Sequence, residues 1–391
     1  MTMHNAQAIA ATAAPQAIVE RDALTRAMEI ATLAIEKRGG VPVLQTARLT
    51  GDGDRLFVTG TDLDCEITVT VPGAADSRFA ACLPAHRVKD LLKKARKSDY
   101  AALTANAETD DTKPGATVEF DSVRYDLDGE TVEDFPVLNL PEAAHAFTMA
   151  GETFNTMLRR TMGAISTEET RYYLNGVFAH EIDGQLRFVA TDGHRMYMQD
   201  VTAPDGCEGM PGVIVPRKTV ATLHRLTKGR AMPESVKIDV TVSRFVVTFD
   251  TPEGLTVVIN SKTIDGTFVD YQRVVPIQFE RTLKAKADDV IGGIADVSVI
   301  ASDRGRAVKI ELGATVALEV NNPDAGRARG EIAATYEGNP MEIGFNWQYL
   351  AEITKAAECD DVTVRFNDAG SPAVITGEHE GWKAVLMPMR V

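Results

Sequence analysis

The amino-acid sequence predicts an α+β protein made of three repeats of one domain, each with antiparallel strands and two helices. The main evidence is a set of three similar stretches that recur at a period of roughly 130 residues. Each reads as a short strand followed by a helix with one apolar stripe: AIVERDALTRAMEIATLAIEK from Ala17, FTMAGETFNTMLRRTMGAIST from Phe147 and TLKAKADDVIGGIADVSVIAS from Thr282. Threefold internal repetition suggests a curved or ring-like body with equivalent surfaces facing one way.

The length and composition are those of a multidomain globular protein. The 391 residues favour two or three domains, and 44% hydrophobic with 25% charged residues is typical of globular chains. No apolar run of about 18 residues predicts a membrane span, and the N-terminus lacks the features of a secretory signal. We therefore expect a cytoplasmic protein with no membrane partner, in which residues 1–16 form a disordered Ala-rich tail.

Cysteine spacing and short motifs argue against a metal or a cofactor. Cys65, Cys82, Cys207 and Cys359 are scattered without a CxxC pair, so we expect reduced, mostly buried thiols. The histidines form no HExxH motif, and neither a P-loop nor a dinucleotide fingerprint is present. The sequence predicts no cofactor and no metal site.

Within each repeat, the first helix is followed by a strand that ends in a polar turn. In the first helix, the spacing of Leu24, Met28, Ala31 and Ile35 predicts one buried stripe. The strands and turns read LFVTGTDLDCEI, LRFVATDGHRMY and VALEVNNPDAGR. Asp62 and Asp192 lie 130 residues apart, and Pro323, which follows Asp192 by 131, is expected at the matching place.

The second helices and the closing strands complete the repeats. Pro84, Pro216 and Asn346 stand at matching helix starts, where the first amides have no partner within the helix. Alternating strands such as SVKIDVTVSRFVVTF then close each unit. The predicted domains are residues 17–145, 146–277 and 278–391, with boundaries in two Pro-bearing stretches.

The charge of the chain is unevenly distributed. The formal net charge of −15 would count against nucleic acid as a partner. However, the segment Pro84–Lys97 contains six Lys or Arg residues and one acidic residue. The segment Pro211–Arg230 contains five Lys or Arg residues and no acidic residue. The ordinary interpretation of one such segment is a solvated helix face; two in equivalent positions would line one side of the body.

Asp192 and His194 form the most conspicuous candidate catalytic cluster. An enzyme needs its acid, base or nucleophile to be backed by an orienting group and a place for substrate. Along a strand-to-turn segment, an aspartate two residues before a histidine is equally compatible with turn hydrogen bonding. We therefore favour a structural turn or the wall of a binding surface over a catalytic site.

Two further stretches are candidates for binding. Tyr172 and Tyr173 are expected on a strand, where one ring would be core and the other exposed beside Arg171, able to stack on a base. The C-terminal strand ends in Met387 and Met389; methionines at a surface suit the binding of varied apolar peptides, although a terminal core strand is the commoner outcome.

In order and spacing, six motifs resemble those of the bacterial sliding clamps, the beta subunits of DNA polymerase III. They are RYYLNGVF, VATDGHRM, VIVPRK, IDGTFVDYQRVVP, MEIGFN and MPMRV, within a likeness that runs from about Ala17 to Val391. The resemblance implies a three-domain protomer and a head-to-tail homodimer. Such a dimer would be a ring with helices facing double-stranded DNA and sheets outside. It also implies a processivity factor that is not an enzyme.

The resemblance assigns three groups of residues. The implied pocket for short apolar-acidic peptides comprises Leu174, Thr191, Gly193, His194, Arg195, Met196, Pro276, Val385, Leu386, Met387, Pro388, Met389 and Arg390. The implied DNA contacts are Arg38, Tyr172, Tyr173, Arg217 and Lys218. The implied dimer interface includes Arg124, Tyr125, Ile300 and Ala301. The expected partners are the polymerase III alpha subunit, the clamp loader, and other polymerases or repair proteins on nucleoid DNA.

Two other functions remain open at this point. One is a monomeric peptide-binding adaptor that kept the pocket and lost the ring. The other is a hydrolase that uses Asp192 and His194. A ring requires about twice the 42.3 kDa mass of one chain, so a mass measurement separates the ring from the adaptor.

Overall fold

The computed structural model describes residues 14–94, 98–106, 113–120, 123–140, 142, 145–302 and 306–391. The predicted tail lies mostly outside these ranges, and its last residue, Gln16, already begins the first strand. In the described ranges, no helix is long and apolar enough to span a membrane.

The first repeat begins with the expected strand and helix. Its strands are β1 (Gln16–Glu20), β2 (Thr46–Gly51), β3 (Gly53–Thr61), β4 (Cys65–Ala75), β5 (Ala80–Pro84), β6 (Tyr100–Ala105), β7 (Gly115–Phe120) and β8 (Val123–Asp128). Its helices are α1 (Arg21–Ala31) and α2 (Ala85–Lys94). The predicted stripe of Leu24, Met28, Ala31 and Ile35 is buried, although α1 ends at Ala31.

The middle repeat has the same order of elements. Its strands are β9 (His145–Ala150), β10 (Gly176–Ile182), β11 (Gln185–Thr191), β12 (Arg195–Thr202), β13 (Val213–Pro216), β14 (Ser235–Thr241), β15 (Arg244–Asp250) and β16 (Thr256–Lys262). Its helices are α3 (Gly151–Thr161) and α4 (Arg217–Leu226). A short 3-10 helix, Glu169–Leu174, stands where a strand was expected for Tyr172 and Tyr173, so that prediction is wrong.

The third repeat completes the chain. Its strands are β17 (Arg281–Lys286), β18 (Ala307–Leu312), β19 (Val316–Asn322), β20 (Gly326–Ile332), β21 (Ala334–Glu337), β22 (Met341–Asn346), β23 (Asp361–Phe366), β24 (Ala373–Thr376) and β25 (Trp382–Leu386). Its helices are α5 (Ala287–Ser298) and α6 (Trp347–Ala356). The Asn346 side chain caps α6 by accepting from the amides of Gln348 and Tyr349, and Pro84 and Pro216 directly precede α2 and α4.

The chain folds into two compact units. The first combines the described residues up to Phe154 with Thr222–Lys262 and holds a 12-stranded sheet in which β4 pairs with β16. The second combines Asn155–Ala221 with Thr263–Val391 and holds a nine-stranded sheet, in which β12 pairs with β25, and a four-stranded sheet. All strand pairs named for these sheets are antiparallel, which confirms the predicted α+β class.

The four cysteines lie in described residues and form no disulfide. Cys65, Cys82 and Cys207 are buried, and Cys359 is half-buried. Burial raises the pKa of the Cys82 and Cys207 thiols to about 11, so both stay protonated near neutral pH.

Candidate functional site

The polar turn of the middle repeat is held by its own hydrogen bonds. One Asp192 carboxylate oxygen accepts from the amides of His194 and Arg195, each at 2.9 Å. The Thr191 hydroxyl donates to the Arg195 carbonyl at 2.7 Å and accepts from the Gly193 amide at 3.1 Å. Gly193 has φ +89°, a backbone conformation that residues with a Cβ rarely adopt, so glycine suits the position.

The same turn occurs in the first repeat with the same bonds. The Asp62 carboxylate accepts from the amides of Asp64 and Cys65, at 3.0 and 2.7 Å. The Thr61 hydroxyl again donates across the turn, to the Cys65 carbonyl at 3.1 Å. A bond pattern repeated in two domains belongs to the fold, which supports the structural interpretation of Asp192.

The third repeat contains a shorter version of this turn. Asn322 uses its side-chain oxygen to accept from the Asp324 amide at 3.0 Å. Asn322 therefore occupies the equivalent position, 130 residues after Asp192, and the expectation that Pro323 matches it is wrong by one residue. The physical reason is that the turn needs a side-chain acceptor, which proline lacks.

The surroundings of His194 give no sign of a catalytic pair with Asp192. The Asp192 carboxylate is engaged by the turn amides and by Arg195 Nε at 3.1 Å. The His194 ring instead stacks on Tyr349, with centroids 6.2 Å apart, and its carbonyl accepts from the Met387 amide at 2.9 Å. Among the described residues, no group of three or more His, Cys, Asp or Glu could hold a metal ion.

A cavity of about 220 Å³ opens beside the turn, and we call it the Leu174 cavity. Pairing of β12 with β25 sets Met196 opposite Val385, which brings the C-terminal strand next to the turn. Eight residues of the predicted peptide pocket line it: Leu174, Thr191, Gly193, His194, Arg195, Met196, Val385 and Met387.

The floor of the Leu174 cavity is apolar and tightly packed. Leu174, Met196 and Val385 are all at most 4% exposed and belong to one buried cluster. That cluster also includes Phe268 and Tyr271 from the segment between β16 and β17. An enclosed apolar floor with a few polar groups at its rim is typical of a site for apolar side chains of a ligand.

The other five residues of the predicted pocket lie in the described part of the chain but do not line this cavity. They are Pro276, Leu386, Pro388, Met389 and Arg390. Leu386 is fully buried at the end of β25, and Pro276 is half-buried. The Met389 amide donates to the Gly344 carbonyl at 2.8 Å, which fixes the tail beside β22. Arg390 is exposed.

Five lining residues were not assigned to the pocket from sequence: Arg171, Tyr173, Val269, Tyr271 and Val274. Tyr173, expected to touch DNA, thus borders the cavity, whereas its neighbour Tyr172 is 53% exposed. Val269, Tyr271 and Val274 belong to the motif IDGTFVDYQRVVP, which stands out in the sequence. The segment has little regular structure, so no helix or strand periodicity indicated which of its side chains face inward.

Arg195 lines the cavity, and its charged group already has partners within the protein. Its guanidinium forms ion pairs with Asp192 and Glu352, and it lies over the Tyr349 ring at 4.5 Å. The side chain is only 11% exposed. Although burial opposes the charge, the contacts with Tyr197 and Glu352 raise the pKa of Arg195 above its usual value. Two carboxylates therefore already balance the charge of Arg195.

Three of the five predicted DNA contacts, Arg38, Arg217 and Lys218, are exposed basic residues. Arg38 lies after α1, and Arg217 and Lys218 are the first two residues of α4. The first unit also contains a basic cavity of about 320 Å³, which we call the Arg26 cavity. Its basic lining residues, which were not individually assigned from sequence, are Arg26, Lys37, His86, Lys89, Lys93 and Arg225.

The predicted dimer residues lie at strand and helix ends. Arg124 and Tyr125 are on β8, an edge of the 12-stranded sheet, where Arg124 Nε is 3.1 Å from Asp126. Ile300 and Ala301 follow α5, and the Ile300 carbonyl accepts from the Asn322 side chain at 2.7 Å.

Comparison with protein-family models gives three matches in chain order. The N-terminal, central and C-terminal domains of the DNA polymerase III beta subunit match residues 16–140, 148–270 and 272–390. A beta sliding clamp of Caulobacter vibrioides is 34% identical over 385 residues, which is 95% of this chain and 99% of the relative. A beta sliding clamp of Pseudomonas aeruginosa is 26% identical over 377 residues, with the same two shares covered.

Solved structures agree along nearly the whole chain. The Caulobacter crescentus pol III beta structure is 34% identical, with a TM-score of 0.87 over 96% of this chain and 100% of that one. A Bartonella birtlesii sliding clamp bound to griselimycin is 33% identical, with a TM-score of 0.85 over the same shares. With all three domain models matched in order, the chain belongs to the DNA polymerase III beta subunit family, the bacterial beta sliding clamps.

Proposed function

We propose that this protein is a DNA sliding clamp and processivity factor. Two copies close head to tail into a ring around duplex DNA, and the Leu174 cavity holds short peptide segments of the proteins that the ring tethers. Those proteins are the polymerase III alpha subunit, the clamp loader, and other polymerases or repair proteins. The observation that carries the proposal is an apolar cavity beside a turn held by its own hydrogen bonds, in a chain of the clamp family.

The cavity suits apolar anchors of a peptide. Burying one Leu-sized side chain contributes about 1.5–3 kcal/mol, so two anchors supply most of a micromolar affinity after the costs of binding. Met387 lines the cavity and is half-exposed, and a thioether repacks easily around different partners. Because Arg195 is already neutralised, we expect it to shape the wall more than to attract an acidic residue.

We expect the exposed basic residues to make the contacts with DNA. A closed ring holds DNA by topology, so weak, salt-sensitive phosphate contacts are enough and permit sliding. We assign these contacts to Arg38, Tyr172, Arg217 and Lys218, and add the Arg26 cavity as a further basic surface. The net charge of −15 then discourages binding elsewhere on the protein. Tyr173 remains a DNA-contact proposal, although it also borders the Leu174 cavity.

We propose three clamp domains of residues 17–145, 146–277 and 278–391, and a dimer interface that includes Arg124, Tyr125, Ile300 and Ala301. Among the described strands, β8 pairs only with β7, so its outer edge exposes backbone groups that a second chain can satisfy. We propose no catalytic residue and no cofactor, and we expect the protein in the cytoplasm, on nucleoid DNA.

Retention on DNA of different topology tests this function. The loaded protein should stay on nicked circular DNA at moderate salt and slide off once the circle is linearised. Equal retention on both would show that contact energy, and not a ring, holds the protein.

Two controls accompany that experiment. Light scattering should give about twice the 42.3 kDa chain mass, and a mass of one chain would favour the monomeric adaptor. Lys218→Glu should slow loading or weaken direct DNA binding without changing this mass, since the side chain is exposed at the start of α4.

A further inference from the structure

Behind the wall of the Leu174 cavity, three polar side chains form a row across neighbouring strands. His180 on β10 is the cross-strand partner of Arg187 on β11, which in turn is the partner of Asp200 on β12. The hydroxyl of Tyr271 lies above this row, 2.9 Å from His180 Nε2 and 3.3 Å from Arg187 Nη1. Tyr271 is 4% exposed, and its ring lines the cavity.

The Arg187 end of the row is fixed. Arg187 holds Asp200 through two parallel bonds, from Nε at 2.6 Å and from Nη2 at 2.7 Å. Such a bidentate pair fixes the plane of the guanidinium, which leaves Nη1 aimed at the Tyr271 hydroxyl. The hydrogen bond with Asp200 raises the pKa of Arg187 despite its burial, so the arginine remains a donor.

The remaining bond can be assigned a direction. Arginine has no acceptor, so Arg187 must donate to the Tyr271 oxygen. We assign the hydroxyl proton of Tyr271 to the bond with His180 Nε2, which requires a neutral imidazole with its own proton on Nδ1. Burial and the nearby Arg187 charge lower the pKa of His180, which favours that neutral form.

We propose that His180 is a positioning residue of the peptide site: with Arg187 it holds the Tyr271 hydroxyl, and so fixes the cavity wall that a peptide contacts. This inference rests on the proposed peptide-binding function. The wall contains few regular hydrogen bonds of its own, because Tyr271 belongs to a 3-10 turn of three residues, Tyr271–Arg273. A side-chain anchor therefore does for Tyr271 what the backbone ladder of β11 and β12 does for Met196 on the cavity floor.

The test is a calorimetric titration of a short synthetic peptide with two leucines and one aspartate. His180→Phe keeps a ring to stack on Phe178, whose centroid is 4.7 Å from that of His180, but removes the acceptor. We expect affinity to fall about threefold to tenfold, the value of one hydrogen bond. His180→Gln restores an acceptor and should recover much of the loss.

Two further variants separate positioning from general packing. Tyr271→Phe removes the hydroxyl alone and should weaken binding as His180→Phe does, while the double variant should lose no more than either single one. His145→Phe, at a half-buried histidine of the first unit, should bind peptide like the wild type. Thermal unfolding of each variant checks folding.

The pH profile supplies a readout that packing would not move. The charged groups that face His180 are Arg187, Asp200 and Glu181, and the titratable hydroxyl is that of Tyr271. Protonation of His180 removes its acceptor. Because burial lowers the pKa of His180, wild-type affinity should fall only as the pH drops well below the ordinary histidine value of about 6.5. His180→Gln should lack this component, whereas any contribution of His194 is shared by both proteins.

The outcomes separate the inference from the function. Wild-type affinity in both His180→Phe and Tyr271→Phe, or losses that multiply in the double variant, would overturn the positioning role while leaving the peptide site intact. Absence of any binding by the wild type would instead overturn the proposed function, and this inference with it.

Discussion

The turns Thr61–Cys65 and Thr191–Arg195 share their hydrogen bonds and differ in what they carry. In both, an aspartate oxygen accepts from two amides and a threonine hydroxyl bridges the turn. The first presents Leu63, Asp64 and Cys65, whereas the second presents Gly193, His194 and Arg195 beside the Leu174 cavity. The fold thus supplies the same turn in these two repeats, and the residues carried on the second turn distinguish the proposed binding site.

Removing the C-terminal wall should have the largest effect, because the Leu174 cavity depends on that wall while the Thr61–Cys65 turn does not. Deleting residues from Met387 onward removes a lining side chain and the bond between the Met387 amide and the His194 carbonyl. Loss of the apolar contact that the half-exposed Met387 would make with a peptide, together with that hydrogen bond, should weaken peptide binding about tenfold to a hundredfold. Calorimetry measures the loss, and light scattering should show an intact dimer. Unchanged peptide affinity in the deletion variant would contradict the assignment of the Leu174 cavity as the peptide site.

A reciprocal exchange at the third residue of each turn tests the backbone difference. Gly193 has φ +89° and Leu63 has φ +78°, a region that costs a side-chain-bearing residue about 1–2 kcal/mol. Gly193→Leu should therefore lower the free energy of unfolding by at least about 1 kcal/mol. Leu63→Gly should change it by less than about 0.5 kcal/mol, since relief of strain offsets the chain entropy of glycine. Urea unfolding gives both values, and equal losses would contradict this account.

A matched pair of aspartate variants tests which of the two turns takes part in peptide binding. Asp62→Ala and Asp192→Ala each remove a side chain that accepts from two amides, so each should cost about 0.5–2 kcal/mol of stability. Only Asp192→Ala should also weaken peptide binding, by a few-fold, because it releases Arg195 from one of its ion pairs. Chemical unfolding and peptide titration of the same two proteins provide the comparison. An equal loss of affinity in Asp62→Ala would mean that the effect is general destabilisation.

His194→Ala should produce the smallest change. The ring stacks on Tyr349 at the cavity edge and contributes contact area with at most one hydrogen bond, worth about 0.5–1.5 kcal/mol. Peptide titration should show a modest rise in dissociation constant and no change in unfolding midpoint. Turnover of any substrate that depends on His194 would revive the catalytic interpretation.

Local patterns in the sequence predicted the elements of the fold well. The three strand-helix openers lie at β1 with α1, β9 with α3 and β17 with α5, because apolar periodicity reports directly which face of a helix is buried. The turn at Asp192 was also predicted, since its bonds join residues at most four apart. Where a pattern was weaker, as at Asn322, the prediction slipped by one residue.

What the sequence did not predict depends on contacts between distant segments. Glu352 neutralises Arg195 from 157 residues away, and Tyr271 meets His180 across 91 residues. No spacing rule connects such pairs. The resemblance to clamps named eight of the cavity residues, but the chain-specific partners of Arg195 and Tyr271 became visible only in three dimensions.

The stoichiometry of peptide binding tests the central claim most directly, because three repeats, each with a turn at the matching place, are proposed to yield a single binding site. A short peptide with two leucines and one aspartate should bind the wild type at one site per chain, with micromolar affinity, and lose most of that affinity when the residues from Met387 onward are deleted. Two or three equivalent sites per chain, or binding that the deletion leaves unchanged, would contradict the account.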